Sequence, residues 1–138
     1  MGDTSEFEYL QVEREGDVVT ITLDRPEKRN ALALDVMREV TAAFRQAGAS
    51  DALTVVLAAN GPVFSAGHNF GDMAGASLNE ARSLFEVCTE MMDTVQAIPQ
   101  PVIARVHALA TAAGCQLVAT CDLAIAAESS GFALPGGK

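Results

Sequence analysis

The 138-residue sequence has little positive charge, with nine Lys and Arg residues against eighteen Asp and Glu residues and a net charge of −9. No run of basic residues is present that could follow a phosphate backbone, so we do not expect nucleic acid as a partner. Arg25, Lys28 and Arg29 form the one local cluster of cations. This cluster is either a contact for a polyanionic ligand or a solvated loop.

Cysteine and histidine are also scarce. Cys88, Cys115 and Cys121 form neither a paired framework nor a metal-ligand spacing, and their apolar neighbours predict buried free thiols in a reducing compartment. Two separated histidines and scattered acids do not have the spacing of a metal site, so no metal is expected. The first residues lack the basic and apolar regions of a secretory signal, which favours a cytoplasmic location.

Several common motifs are absent. There is no G-x-G-x-x-G and no P-loop, so nicotinamide and nucleoside triphosphate chemistry have no support. Val63 stands where a nucleophile elbow around Ser65 would need glycine, which excludes the signature of a serine hydrolase. The longest apolar stretch, residues 108–127, is rich in alanine and contains Gln116 and Asp122; it predicts a core element and no membrane association.

What is present is an alternation of strand-like and helix-like segments. Alternating strands and helices favour parallel pairing through crossovers, and therefore a single α/β domain over residues 1–138. The predicted strands are Phe7 to Glu15 and Val18 to Leu23, joined as a hairpin at Gly16-Asp17, and then Leu53 to Ala59, Val102 to Val106 and Leu123 to Ala127. The predicted helices are Asp35 to Ala47, closed by Gly48, a long helix from Ser77, and Ala113 to Thr120.

The long helix has a clear start. Ser77 followed three residues later by Glu80 predicts a capping box. Apolar residues then recur at spacings of three and four, which predicts one buried face made of Leu78, Ala81, Leu84, Phe85, Cys88, Met91, Met92 and Val95.

Two bends rich in small residues follow strand-like runs, Phe64 to Phe70 around Gly67 and Leu109 to Asp122 around Gly114. Small side chains leave the backbone N–H groups at a helix start open to a ligand, and such groups favour negative charge. Two bends of this kind can place two donors on one oxygen, which is how an oxyanion site is built.

These bends, together with Leu23-Asp24-Arg25-Pro26-Glu27-Lys28-Arg29-Asn30-Ala31-Leu32, resemble the crotonase (enoyl-CoA hydratase/isomerase) family, within it the enoyl-CoA hydratase domain-containing branch. The resemblance covers nearly the whole chain. It implies an α/β, crotonase-like (ClpP/crotonase) spiral of ββα units. It also implies a longer protein whose C-terminal helical part is absent here, assembled as a homotrimer or a dimer of trimers.

The resemblance assigns roles to individual residues. It implies that the N–H groups of His68 and Ala113 hold the thioester oxygen of an acyl-CoA, which is the substrate; no separate cofactor is expected. Coenzyme A would lie along the first bend and the loop of the cation cluster, with contacts from Lys28, Arg29, Ala31, Ala66, Gly67, Asn69, Phe70 and Gly114. Asn69 departs from the aspartate that is usual in the family.

Two further departures concern the proton chemistry. Gln116 and Gly136 stand where hydratases of the family carry their two glutamates, so water addition to a double bond is not expected. The imidazole of His68 and the carboxylate of Asp72 are replacements to consider, although His68 also fits a loop side chain without a proton role. Glu90 and Asp93 are expected to face solvent, and His107 to make a structural hydrogen bond. The function is therefore either enolate chemistry on acyl-CoA or a role without catalysis, as an acyl-CoA-binding protein or an interaction protein in an oligomer.

Overall fold

The computed structural model describes residues 6–68, 75 and 77–134. Its main feature is a five-stranded sheet in the order β1-β2-β3-β4-β6. The strands are β1 (Leu10–Glu15), β2 (Val18–Leu23), β3 (Thr54–Ala59), β4 (Val102–Val106) and β6 (Leu123–Ala126). A second sheet pairs β5 (Ala110–Thr111) with β7 (Phe132–Ala133). The helices are α1 (Leu34–Ala49), α2 (Leu78–Ala97) and α3 (Ala113–Thr120).

The predicted hairpin and the predicted parallel pairing are both confirmed. β1 and β2 are antiparallel with Leu10 opposite Leu23, whereas β2, β3, β4 and β6 run parallel. β1 begins at Leu10, three residues later than the β-rich pattern predicts. The crossover helices cover the sheet because each has an apolar face, and the core between them contains Ile21, Leu57, Phe44, Met91 and Val95, all at most 2% exposed.

The predicted end of α1 is wrong. Gly48 does not close the helix but lies inside it, and the helix continues to Ala49 with Ser50 as its C-cap. A Cβ atom on Gly48 would lie 2.5 Å from Cγ2 of Ile98, the C-cap residue of α2. Position 48 therefore needs glycine for close helix packing and not for a left-handed turn.

The capping box at the start of α2 is confirmed. The Glu80 N–H donates to the Ser77 hydroxyl at 3.1 Å, and the Ser77 N–H donates to the Glu80 carboxylate at 3.0 Å. The predicted buried face is only partly right, because Leu84, Cys88, Met91 and Val95 are buried while Leu78 and Phe85 are exposed. α2 thus presents a second apolar stripe that the core does not cover.

The parallel strands bring three connections to one edge of the sheet. The segments after β2, β3 and β4 all leave from the carboxyl ends of their strands, which is the edge where open parallel sheets bind ligands. Both glycine-bearing bends lie on these segments. The fold therefore brings to one place Gly67 and Gly114, which are 47 positions apart in sequence.

Candidate functional site

The connection after β2 is held to the connection after β3 by Asn30. Its side-chain amide donates to the carbonyl oxygens of Asn60 and Val63 at 2.7 and 3.3 Å, and its side-chain oxygen accepts from the Arg25 N–H at 2.8 Å. Asn30 is buried and has a φ of 51°, a left-handed conformation that asparagine tolerates. This one residue therefore fixes two of the three connections together.

Ser65 joins the third connection to the first two. Its hydroxyl donates to the Asn30 carbonyl at 2.8 Å and accepts from the Gly67 N–H at 3.2 Å. Its backbone carbonyl accepts from the Thr111 N–H at 3.0 Å. Ser65 is completely buried, so its role in the fold is to hold the two bends side by side.

Glycine is required where the bends touch. Gly67 has a φ of +85°, and a Cβ there would lie 2.9 Å from Cβ of Ala112 and 3.1 Å from N of Ala113. A Cβ on Gly114 would lie 2.7 Å from both Cβ and O of Ser65. Side chains at either position would force the two bends apart, so the small residues at these points make the close approach possible.

The second bend enters α3 through a strained residue. Ala112 has φ 54° and ψ −125°, a conformation that costs alanine about 1–3 kcal/mol. Its N–H donates to the carbonyl of Ala133 at 2.8 Å, which anchors the bend to β7. The strained turn makes Ala113 the first residue of α3, where a backbone N–H has no partner within the helix.

The N–H groups of His68 and Ala113 have no acceptor among the residues that the structure describes. Both residues line one pocket of about 840 Å³. The other lining residues, mostly apolar, are Phe85, Cys88, Thr89, Met92 and Gln96 of α2, Gln116, Ala119 and Thr120 of α3, Ala112, and Leu134. The pocket can therefore bind a ligand in which a polar atom is attached to an apolar chain.

The structure brings several of the other predicted binding residues next to this site. The Ala66 N–H donates to the Arg29 carbonyl at 3.0 Å, and the Leu32 N–H donates to the Gly67 carbonyl at 2.6 Å. The loop of Lys28, Arg29 and Ala31 therefore lies against the first bend, although these three residues do not line the pocket. Lys28 and Arg29 are exposed.

Asn69, Phe70, Asp72 and Gly136 lie outside the described residues. The segment that leads to Gly136 is described as far as Leu134, which lines the pocket. β7 pairs with β5 so that Phe132 stands opposite Ala110. The end of this segment thus lies beside the second bend.

The structure also tests three other predictions, which concern the two acids of α2, His107 and the cysteines. Glu90 and Asp93 are exposed, as expected, and Glu90 accepts a hydrogen bond from Arg45 of α1 at 2.7 Å. His107 makes the predicted structural contact, with its Nε2 at 2.7 Å from the Gly61 carbonyl oxygen. The three thiols are free, but Cys88 alone is fully buried, while Cys115 and Cys121 are half-buried.

The structural importance of Asn30 and Ser65 was missed by the sequence interpretation. From the sequence, Asn30 was noted only as a member of the segment Leu23 to Leu32 that resembles the family. Ser65 was considered only as a nucleophile, and the absence of a nucleophile elbow excluded that role. The available signal was their residue type, because Asn and Ser side chains bond to nearby backbone in loops. Their partners, however, lie at least 30 residues away in most of these bonds.

The fold and the paired bends define an α/β protein of the crotonase type. The chain belongs to the enoyl-CoA hydratase/isomerase family, whose sequence profile matches residues 13–138. Enzymes of this family act on acyl-CoA thioesters.

Curated relatives and solved structures agree with this assignment. The chain is 37% identical over 137 residues to enoyl-CoA hydratase domain-containing protein 3, mitochondrial, of Rattus norvegicus, covering 98% of this chain and 46% of that protein. A crystal structure of enoyl-CoA hydratase from Mycobacterium smegmatis matches with a TM-score of 0.90 and 45% identity over 94% of this chain and 51% of that one. The human enoyl Coenzyme A hydratase domain-containing protein 3 has a TM-score of 0.90 at 36% identity, over 94% and 52% of the two chains.

The chain spans about half the length of the relatives it matches. The expected cytoplasmic location stays a prediction, and the rat relative is named as mitochondrial. None of the described helices combines the length and the hydropathy of a membrane span.

Proposed function

We propose that this chain binds an acyl-CoA thioester and stabilises negative charge on its thioester oxygen with the N–H groups of His68 and Ala113. The observation that supports this most is that both residues line one pocket while neither N–H has an acceptor among the described residues. Each oxyanion donor of this kind contributes roughly 10²–10³ in rate. Because Ala113 lies in the first turn of α3, the helix dipole also favours negative charge at this place.

The rest of the pocket suits the remainder of such a ligand. Phe85, Met92 and Ala119 offer an apolar surface for the acyl chain. Lys28 and Arg29 are exposed on the loop that is bonded to the first bend, where they are available to the phosphates of coenzyme A. The cation cluster is therefore proposed as a ligand contact and not only as a solvated loop.

The reaction we propose is enolate chemistry without efficient hydration. Gln116 lines the pocket, and a carboxamide orients water without accepting its proton. The family resemblance implies that Gln116 and Gly136 stand at the positions of the two glutamates of a hydratase. Since each such acid or base contributes about 10²–10⁴-fold, losing both leaves little water addition.

Binding without catalysis is the second candidate, and Gln116 in the pocket is the observation that favours it. Crotonyl-CoA hydration, compared between the unaltered chain and the double variant Gln116→Glu, Gly136→Glu, tests whether the site is intact except for its acids. Exchange of the α-protons of a bound acyl-CoA separates enolate chemistry from binding alone. We expect no hydration by the unaltered chain and a measurable gain in the double variant. Hydration by the unaltered chain at ordinary enzyme rates would contradict the argument from the missing carboxylates.

The proposed oxyanion site is tested by removing one donor. Proline fits the first position of a helix but has no N–H, so Ala113→Pro deletes the donor, and Ala113→Gly is the matched control that keeps it. With acetoacetyl-CoA, whose enolate carries negative charge, we expect Ala113→Pro to weaken binding about tenfold or more in calorimetry. Unchanged affinity in a folded Ala113→Pro variant would refute the site.

A further inference from the structure

The pocket contains few groups that can exchange a proton. Among its described lining residues, only His68 and Cys88 have titratable side chains, and no carboxylate is present. Burial raises the pKa of the Cys88 thiol, so this group keeps its proton at neutral pH. Imidazole, in contrast, is the side chain that ordinarily exchanges protons between about pH 5 and 8.

The ring of His68 is oriented by packing. It meets the ring of Phe85 edge to face, with centroids 5.7 Å apart and planes at 90°. Its Nδ1 atom is buried and has no hydrogen-bond partner among the residues that the structure describes. Because Nδ1 is enclosed while the residue lines the pocket, Nε2 is the nitrogen through which the ring can reach a ligand.

We propose that the His68 imidazole exchanges a proton with the α-carbon of the bound acyl-CoA, an inference that rests on the proposed function. Nε2 of the neutral ring takes a proton from the α-carbon, and the C–H electron pair forms a double bond to the carbonyl carbon. The carbonyl π pair moves to the oxygen, where the two backbone N–H groups hold the charge. The imidazolium then returns a proton to carbon, which regenerates the thioester.

The surroundings of His68 also determine how fast this proton exchange is expected to be. A catalytic histidine is usually paired with a carboxylate that stabilises its protonated form. Within the described part of the chain no carboxylate is bonded to Nδ1 of His68, so this assistance is not provided there. We therefore expect slow exchange, which is measurable over hours and well below the turnover of a two-glutamate hydratase.

The experiment follows the α-methylene protons of butyryl-CoA by proton NMR in D₂O with the unaltered chain. His68→Gln keeps the backbone N–H and removes the titratable ring, so we expect exchange to fall about 10²-fold or more while the affinity for butyryl-CoA changes less than threefold. The matched control is His107→Gln, which alters the other histidine of the chain, bonded to Gly61 outside the pocket, and leaves exchange unchanged. Added imidazole is expected to restore part of the exchange in His68→Ala, which a merely structural role would not allow.

The possible outcomes separate the two proposals. Binding of butyryl-CoA without any α-proton exchange would overturn the role of His68 and leave the oxyanion site standing. Exchange that survives in His68→Gln, or that disappears in Asp72→Asn instead, would also overturn it. No binding by the unaltered chain would overturn both proposals.

Discussion

A methyl group at position 114 would lie 2.7 Å from two atoms of Ser65, closer than real contacts allow. Gly114→Ala must therefore push α3 away from the first bend, and we expect a loss of roughly 1–3 kcal/mol in the free energy of unfolding. Chemical denaturation measures this directly. Gly131→Ala is the control, since its Cβ would meet only Cδ1 of Leu109 at 3.4 Å. Equal effects of the two substitutions would contradict the close-approach argument.

The thiol of Cys121 provides a prediction about pH. Burial, followed by the neighbouring Asp122 charge, raises its pKa from 9.0 to about 12. A thiol whose pKa is raised by folding stabilises the folded state, and this contribution is fully present below the unfolded pKa, near 9. The contribution is lost as the pH rises towards 12. We expect alkylation of Cys121 by iodoacetamide at pH 8 to be roughly a thousandfold slower than in the unfolded chain.

Site-resolved mass spectrometry after timed alkylation measures this rate. The rate at Cys121 is expected to rise steadily up to about pH 11, without levelling off near pH 9. A rate equal to that of the unfolded chain at pH 8 would show that the thiol is not shielded.

At single positions, the sequence predicted the glycines of both bends but not why each is needed. Gly67 and Gly114 were recognisable because small residues cluster around them. The distances that make them indispensable involve residues more than 40 positions away. The positive φ of Ala112, in contrast, could not be predicted, because alanine is not a residue type that indicates a left-handed conformation.

Among the elements, α2 depends on its capping box. Ser77→Ala removes the hydroxyl that accepts from the Glu80 N–H, and loss of such a cap costs about 1 kcal/mol. Ser83→Ala is the control, since it lies exposed on the same helix. Thermal unfolding of the two variants checks the prediction, and equal melting temperatures would contradict it.

The same capping box carries a dependence on pH. The hydrogen bonds that Glu80 receives from Ser77, chiefly from its backbone N–H, lower the pKa of the Glu80 carboxyl. The stabilisation from this group is therefore present above the unfolded pKa and is lost as the pH falls through the lowered folded value. Ser77→Ala keeps this backbone N–H and removes only the hydroxyl, so we expect the Glu80 pKa, followed by carboxyl-carbon NMR, to rise part of the way to its ordinary value.

Element boundaries were predictable where the signal is local. The capping box, the hairpin turn and the first residue of α3 all follow from neighbouring residue types. The end of α1 was not predictable, because Gly48 serves a contact with Ile98 that lies 50 residues away. Phe85 fits the helical period of a core face yet lines the pocket, since periodicity does not distinguish a core face from a ligand face.

For the whole molecule, β6 is an exposed apolar edge of the main sheet. Leu123 and Ile125 are 62% and 64% exposed, and β6 pairs only with β4 among the described strands. Edges of this kind promote association between copies. We expect this chain to associate with increasing concentration in analytical ultracentrifugation, and Ile125→Lys to reduce that association; a monomer at all concentrations would contradict this.

The order of strands and helices, and hence the α/β class, could be predicted from the sequence because each element carries its own pattern. The exposure of β6 could not be predicted, because the apolar stretch that contains β6 has the composition of a core segment. The pocket was predictable only through the paired bends. Its walls depend on how α2 packs beside α3, which no local pattern specifies.

In the proposed site, two backbone N–H groups, one from each bend, hold the same oxygen. The most direct measurement is a titration of the isotope-labelled chain with acetoacetyl-CoA, in which the amide signals of His68 and Ala113 are followed by NMR. We expect both signals to move downfield together with one dissociation constant, because both groups donate to one charged acceptor. Movement of one signal without the other, or of neither while the ligand binds, would contradict it.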